Sequence, residues 1–304
     1  MKFSVFQVSR KGGRATNQDR MGYCYTRDAG LFLLADGLGG HPEGDVASQM
    51  ALQVMTVMFH TQSKTRISDV GAFLSASVQA ANRQILRYAA EKSMIDSPRT
   101  TLVAALIQDG CISWVHCGDS RLYHVRAGEL LTRTRDHSYL EQRQGELPFA
   151  KKGEKFNRNV LFTCLGSPTA PVFDLAGPIA LEEGDKILLC SDGLWGSLND
   201  VDIVRELGQH PVSVAVPSLV DKALKKAGDG SDNVTVIALE WEMPNVFESS
   251  RGSISTESIE EGVFASTMHA SGLDVLAPDM DDAEIERSIA EINAAIRRTS
   301  AKNK

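Results

Sequence analysis

The chain has 304 residues, 42% of them hydrophobic and 23% charged, a globular composition long enough for one large domain and an appendage. Its net charge of −7 excludes a general nucleic-acid binder, because phosphate contacts need a basic face. No apolar run approaches the ~20 residues that span a bilayer, so no membrane-spanning helix is expected.

Met1-Lys2-Phe3-Ser4-Val5 lacks the apolar stretch of a signal peptide and reads directly as strand. Cys24, Cys111, Cys117, Cys164 and Cys190 form no CxxC pair and sit mostly in apolar runs, which predicts reduced core thiols and a cytoplasmic chain. Strands are expected at 3–8, 21–26 and 31–35. Val46, Met50, Val54, Met55 and Met58 recur at helical spacing, as do Val70, Phe73, Leu74, Val78, Ala81 and Ile85. Strands follow at 101–107, 111–117, 121–126 and 129–134. Gln108-Asp109-Gly110 and Arg126-Ala127-Gly128 between them have the chemistry of hairpin turns. Hairpins make antiparallel neighbours, which rules out a simple alternating βαβ chain.

From Asp136 to Asn159 the chain becomes polar and is punctuated by Gly and Pro, as in a surface insert. A strand at 185–190, helices at 199–208 and 212–227, and a strand at 233–240 complete one unit over 1–243. Residues 244–280 are rich in Ser, Thr, Glu and Gly and read as a flexible linker. Residues 281–299 read as an amphipathic helix. Ile285, Ile289, Ile292 and Ile296 form one stripe, with Asp281, Asp282, Glu284 and Glu286 at the start and Arg297 and Arg298 at the end. Such a helix is expected to dock on a partner or back on the domain.

One pattern recurs: an apolar strand, then an aspartate, then a turn. Leu31-Phe32-Leu33-Leu34-Ala35 runs into Asp36-Gly37. Ile112 to Gly118 runs into Asp119, and Ile187-Leu188-Leu189-Cys190-Ser191 into Asp192-Gly193. The fourth is reversed, with Asp232 preceding Asn233-Val234-Thr235-Val236-Ile237. One Asp-Gly alone is a turn former. Four of them beside buried-looking strands place carboxylates that can converge on one sheet edge, and a dry carboxylate cluster needs cations. All-oxygen ligands select Mg²⁺ or Mn²⁺, and two such ions can activate a water and clamp a phosphoryl group. A glycine after such an Asp lets its carbonyl approach an ion closely. Arg14 and Asp19, in Arg14-Ala15-Thr16-Asn17-Gln18-Asp19, add a fork suited to a phosphate dianion and another acid.

These segments resemble the metal-dependent protein phosphatase family of type 2C in its bacterial form. The similarity is carried by Arg14-x-x-Asn17-Gln18-Asp19, Asp36-Gly37-Leu38-Gly39-Gly40-His41, Thr100-Thr101-Leu102, Gly118-Asp119-Ser120-Arg121, Asp136-His137-Ser138, Asn159-Val160-Leu161, Ser191-Asp192-Gly193-Leu194-Trp195 and Ser231-Asp232-Asn233-Val234-Thr235. Each is weak alone; their order and spacing are specific. The resemblance implies an α+β fold of four layers, α/β/β/α, with two antiparallel sheets flanked by helix pairs. It implies hydrolysis of phosphoserine and phosphothreonine on proteins by a metal-activated water, with two or three Mn²⁺ or Mg²⁺ ions. Asp36 would bridge two ions, with the Gly37 carbonyl as a further ligand. Asp192 and Asp232 would hold the first ion, and Asp119 with Asp192 a third. Arg14 would hold substrate phosphate, and Asp19 would order metal-bound waters. Expected partners are phosphorylated proteins and the Ser/Thr kinase that such an enzyme opposes.

The match has departures. Gln18 replaces an acid found in many members, Leu38 a histidine thought to protonate the leaving oxygen, and Arg99 a glycine before the Thr pair. Leucine cannot donate that proton. The insert is an unusual version of the family's flap. His41 and His137 read as structural, Ser120 and Arg121 as strand-end support, and Trp195 as core packing. Two other functions compete. Retention of Asp36, Asp119, Asp192 and Asp232 argues against a non-catalytic phosphatase-like binding module. The acidic surface and the lack of a Gly-rich nucleotide loop argue against a hydrolase of small phosphoesters.

Overall fold

The computed structural model describes residues 1–63, 66–139, 141, 160–242, 253–255 and 265–267. The outer part of the surface insert and the helix expected at 281–299 lie outside the described residues.

Every residue of β3 (Ala29–Ala35) is buried, although side chains on a strand alternate between faces. Both faces must therefore be covered. Leu31, Leu33 and Ala35 pack under α1 (Gly44–Gln62) and α2 (Val70–Glu91), while Phe32 and Leu34 face the opposite way. There they meet Phe3 and Val5 of β1 (Lys2–Arg10), Ile187 and Leu189 of β9 (Lys186–Cys190), and Ile237 and Leu239 of β10 (Val234–Glu242). The far side of β9 and β10 carries Leu188, Cys190, Val236 and Ala238. These pack on α4 (Asp200–Gln209) and α5 (Val212–Ala227). Four layers result, α/β/β/α, with one core between the sheets and one under each helix pair.

All pairings are antiparallel. The remaining strands are β2 (Arg20–Tyr25), β4 (Leu102–Gln108), β5 (Cys111–Cys117), β6 (Arg121–Arg126), β7 (Glu129–Arg133), β8 (Asp174–Ala180), β11 (Ser253–Ser255) and β12 (Ala265–Ser266). One sheet has the order β11-β1-β10-β9-β6-β7, the other β12-β2-β3-β4-β5-β8. The two predicted hairpins take the left-handed form that matches strand twist. Asp109 and Gly110 have φ of 54° and 70°, and Ala127 and Gly128 have 51° and 80°.

Two readings of the sequence need correction. β8 was not expected: the sequence reading places no strand between 134 and 185. Among the described residues it pairs with β5 alone, as an edge strand, where proline is tolerated, and the register shifts between Ile112 and Trp114. The stretch 244–280 is not all linker. β11 pairs with β1 and β12 with β2, so each adds a strand to the edge of a different sheet.

Candidate active site

The topology explains why the aspartates meet. β3 and β5 both pair antiparallel with β4, so they end at the same end of one sheet, where Asp36 and Asp119 follow them. In the other sheet the end of β9 lies beside the start of β10, with Cys190 opposite Val236. Asp192, which opens the one-turn helix α3 (Asp192–Trp195), and Asp232, just before β10, therefore share that end. The Lys11–Asp19 segment between β1 and β2 crosses the same end and carries Arg14 and Asp19.

A set of short bonds fixes these segments to one another. Thr101 Oγ1 accepts from the Asp36 N–H at 3.0 Å and lies 2.7 Å from Ser120 Oγ, while the Thr101 N–H donates to Asp36 O at 2.8 Å. Ser191 Oγ donates to Asp19 Oδ2 at 2.8 Å and accepts from the Thr235 N–H at 3.0 Å. Asn233 Oδ1 accepts from the Gln18 N–H, and its Nδ2 donates to Lys11 O and Thr16 O, which anchors the Arg14 loop to β10. Two glycines are required by close approach. A Cβ on Gly37 would lie 2.3 Å from Gly44 O, and one on Gly193 would lie 2.0 Å from Asn233 O. The reason for glycine after Asp36 is therefore packing against the start of α1 as well as access to its carbonyl.

The electrostatics are those of crowded acids. Burial, then the charges of Asp19, Asp192 and Asp119, hold the Asp36 carboxyl well above the usual range. Asp192 is raised in the same way by burial, then by Asp119, Asp232 and Asp19. Burial, reinforced by Asp136, pushes Asp119 up to about 7. Burial also raises Asp19, against the opposing hydrogen bond from Ser191. Arg14 is the basic side chain at this cluster. Its Nη2 donates to Asp232 Oδ2 at 2.7 Å, and its side chain is 57% exposed.

This arrangement has a measurable sign. In the folded chain without metal Asp119 keeps its proton up to about pH 7; unfolded, it releases the proton near its ordinary value of 3.8. A raised folded pKa gives stability that is full below the unfolded value and is lost as pH rises toward the folded one. In EDTA, Asp119→Asn is therefore expected to gain on wild type between pH 4 and 7, reaching roughly 10 °C in Tm. A Tm difference that does not change with pH contradicts this.

The donor set fits hard divalent cations: carboxylates from five separate segments, crowded so that they disfavour one another's charge, with no imidazole or thiolate among them. Asp19 Oδ1 is buried with no hydrogen-bond partner, an acceptor that an ordered water or ion satisfies.

Residues 8–227 match the family model described as Protein phosphatase 2C. The chain belongs to the protein phosphatase 2C family. Its similarity to the serine/threonine protein phosphatase PstP of Mycobacterium tuberculosis is 33% identity over 230 residues, covering 75% of this chain and 42% of that relative. The chain thus spans less than half of PstP. With the serine/threonine phosphatase stp of Listeria welshimeri it shares 30% identity over 244 residues, 77% of this chain and 94% of the relative. A crystal structure of the PstP catalytic domain, in complex with 2 manganese ions, superposes with a TM-score of 0.65 at 30% identity. It covers 80% of this chain and 99% of that one.

Within this 2C domain, the site residues picked from sequence lie together: Arg14, Asp19, Asp36 with Gly37, Asp119, Asp192 and Asp232. The two histidines engage elsewhere. His41 Nδ1 is 2.6 Å from Asp96 Oδ2, and Arg99 donates to the same carboxylate, so the departure at Arg99 is tied to His41. His137 stacks on His116 and accepts from the Gly118 N–H. Sequence reasoning did not find the roles of Ser191, Asn233 and Trp195. The first two flank metal-type aspartates in quoted motifs, which was the available signal. The Trp195 Nε1–H donates to Asp119 O at 3.0 Å, a contact with no trace in local sequence.

Proposed function

We propose that this chain is a metal-dependent protein phosphatase that removes phosphate from phosphoserine and phosphothreonine. The observation that carries the reading is the meeting of Asp19, Asp36, Asp119, Asp192 and Asp232 beside Arg14, on a scaffold shared with serine/threonine phosphatases of known structure. Asp36 and the Gly37 carbonyl would serve two ions, Asp192 and Asp232 the first of these, and Asp119 with Asp192 a third. Mn²⁺ or Mg²⁺ suits this all-oxygen set. When bound, such ions supply an activated water and neutralise charge on the transferred phosphoryl group.

The chain's own groups do the rest. Arg14 sits at the rim, where its fork can turn from Asp232 to a phosphate dianion and donate two parallel bonds. Asp19, fixed by Ser191, would order waters bound to the ions. Four of the five cysteines do not suit nucleophilic attack: Cys24, Cys117, Cys164 and Cys190 are buried, and burial pushes the Cys117 thiol up to about 12. Leu38 has no acidic proton, so the leaving oxygen takes its proton from a metal-bound water or from another group. Phosphorylated proteins are the substrates, and a Ser/Thr kinase is the opposing activity. No helix among the described residues is long and apolar enough to cross a membrane. The unpaired buried thiols suit a cytoplasmic location.

Arg14→Lys keeps the charge and loses the fork, so it is expected to raise KM for a phosphothreonine peptide about 10-fold with a smaller change in kcat. An unchanged KM removes Arg14 from substrate binding. The substrate class is tested by rates on phosphothreonine peptides against nucleotides at equal concentration. Preference for nucleotides overturns the protein-phosphatase reading.

A further inference from the structure

Trp195 lies one turn after Asp192, on the same short helix, yet it reaches a different loop. Its Nε1–H donates to the backbone carbonyl of Asp119 at 3.0 Å. Its ring is held in turn by the Arg121 guanidinium, 3.7 Å from the ring centroid. Arg121 cannot drift, because Nε and Nη2 each donate to Asp136 at 2.7 Å in a nearly buried fork. The Asp119 loop is tied on its other side through Ser120 and Thr101 to Asp36. Asp119 is thus referenced to Asp36 by one link and to Asp192 by the other.

We propose that Trp195, braced by Arg121, is a positioning residue that sets the spacing of Asp119 and Asp192 and thereby the affinity for the ion those two share. This rests on the assignment of a third ion to that pair. Phenylalanine can fill the space and stack on Arg121 but has no N–H to hold the carbonyl. Trp195 therefore acts through Asp119, and the ions that Asp36, Asp192 and Asp232 would hold without Asp119 do not depend on its N–H.

The test is Mn²⁺ calorimetry on the full chain for wild type, Trp195→Phe, Asp119→Asn and the double variant. Trp195→Phe is expected to weaken the weakest class of Mn²⁺ site about 5- to 10-fold, the loss of one well-placed hydrogen bond, and the tighter class less than twofold. In the Asp119→Asn background the Trp195 change is expected to add nothing. If Asp119→Asn removes the weak site and Trp195→Phe leaves it intact, the positioning role is overturned and the ion assignment stands. If Asp119→Asn removes no site, the assignment fails and the proposal with it. Equal weakening of every site by Trp195→Phe means general loosening and also overturns it. If the phenylalanine variant does not fold, 3-benzothienylalanine at position 195 keeps the indole shape without the N–H and takes its place.

Discussion

Asp36→Asn is expected to lower kcat/KM on a phosphothreonine peptide at least about 1,000-fold, with the chain still folded. Asparagine keeps the volume and removes one negative charge. Asp36 feels the charges of Asp19, Asp192 and Asp119 at once, which supports the proposal that its carboxylate would serve two cations. Loss of metal-derived charge stabilisation in phosphoryl transfer amounts to several kcal/mol, and each 1.36 kcal/mol is about tenfold in rate. The fold has no need of the charge. The Asp36 backbone is held by Thr100 and Thr101 through its N–H and carbonyl, which asparagine retains. Circular dichroism with steady-state kinetics separates the two effects. A folded Asp36→Asn with activity within tenfold of wild type would refute its role.

The second large effect is an inversion of stability. A saturating cation stabilises the folded chain by RT ln(1 + [L]/Kd), about 2.7 kcal/mol at 100 times Kd, or roughly 5–10 °C in Tm for a domain of this size. Wild type is expected to gain that much on passing from EDTA to Mn²⁺. Asp192→Asn should lose most of the gain, since Asp192 adjoins Asp36, Asp119 and Asp232. In EDTA it should melt above wild type by a few degrees, because one repelling carboxylate is gone from a buried cluster. A variant that destabilises with metal and stabilises without it is hard to obtain from a packing role. If Asp192→Asn melts below wild type in both buffers, the residue is structural.

Much of this site was legible because strand ends are local features. Leu31–Ala35 followed by Asp36-Gly37, and Lys186–Cys190 followed by Ser191 and Asp192, announce an apolar strand and the acid beyond it. Hairpin turns at Asp109-Gly110 and Ala127-Gly128 fixed antiparallel order, and pairing β3 and β5 to one strand brings Asp36 and Asp119 to one end. Asp19 had no such strand-end signal; it stood out only as another acid beside Arg14, and its role came from the family resemblance. What stayed hidden depends on contacts across the chain. β8 contains Gly177-Pro178 and is mostly exposed, so neither alternation nor burial marks it; β5 alone makes it a strand. The short strands at 253–255 and 265–266 are specified by the open edges of β1 and β2 rather than by their own composition. Trp195 packs against the core as expected, but its second role was hidden. Its bond to Asp119 joins residues 76 apart. Likewise His41 and Arg99, both noted in sequence, share Asp96 only in the folded chain.

The most direct measurement is hydrolysis of a phosphothreonine peptide by wild type and Asp192→Asn, each in Mn²⁺, in Mg²⁺ and in EDTA. Carboxylate-held ions acting on phosphoprotein predict turnover by wild type with metal, none in EDTA, and loss of turnover in the variant under every condition. Turnover that survives EDTA, or that Asp192→Asn retains with metal, would contradict the account, as would a folded wild type that binds Mn²⁺ and releases no phosphate.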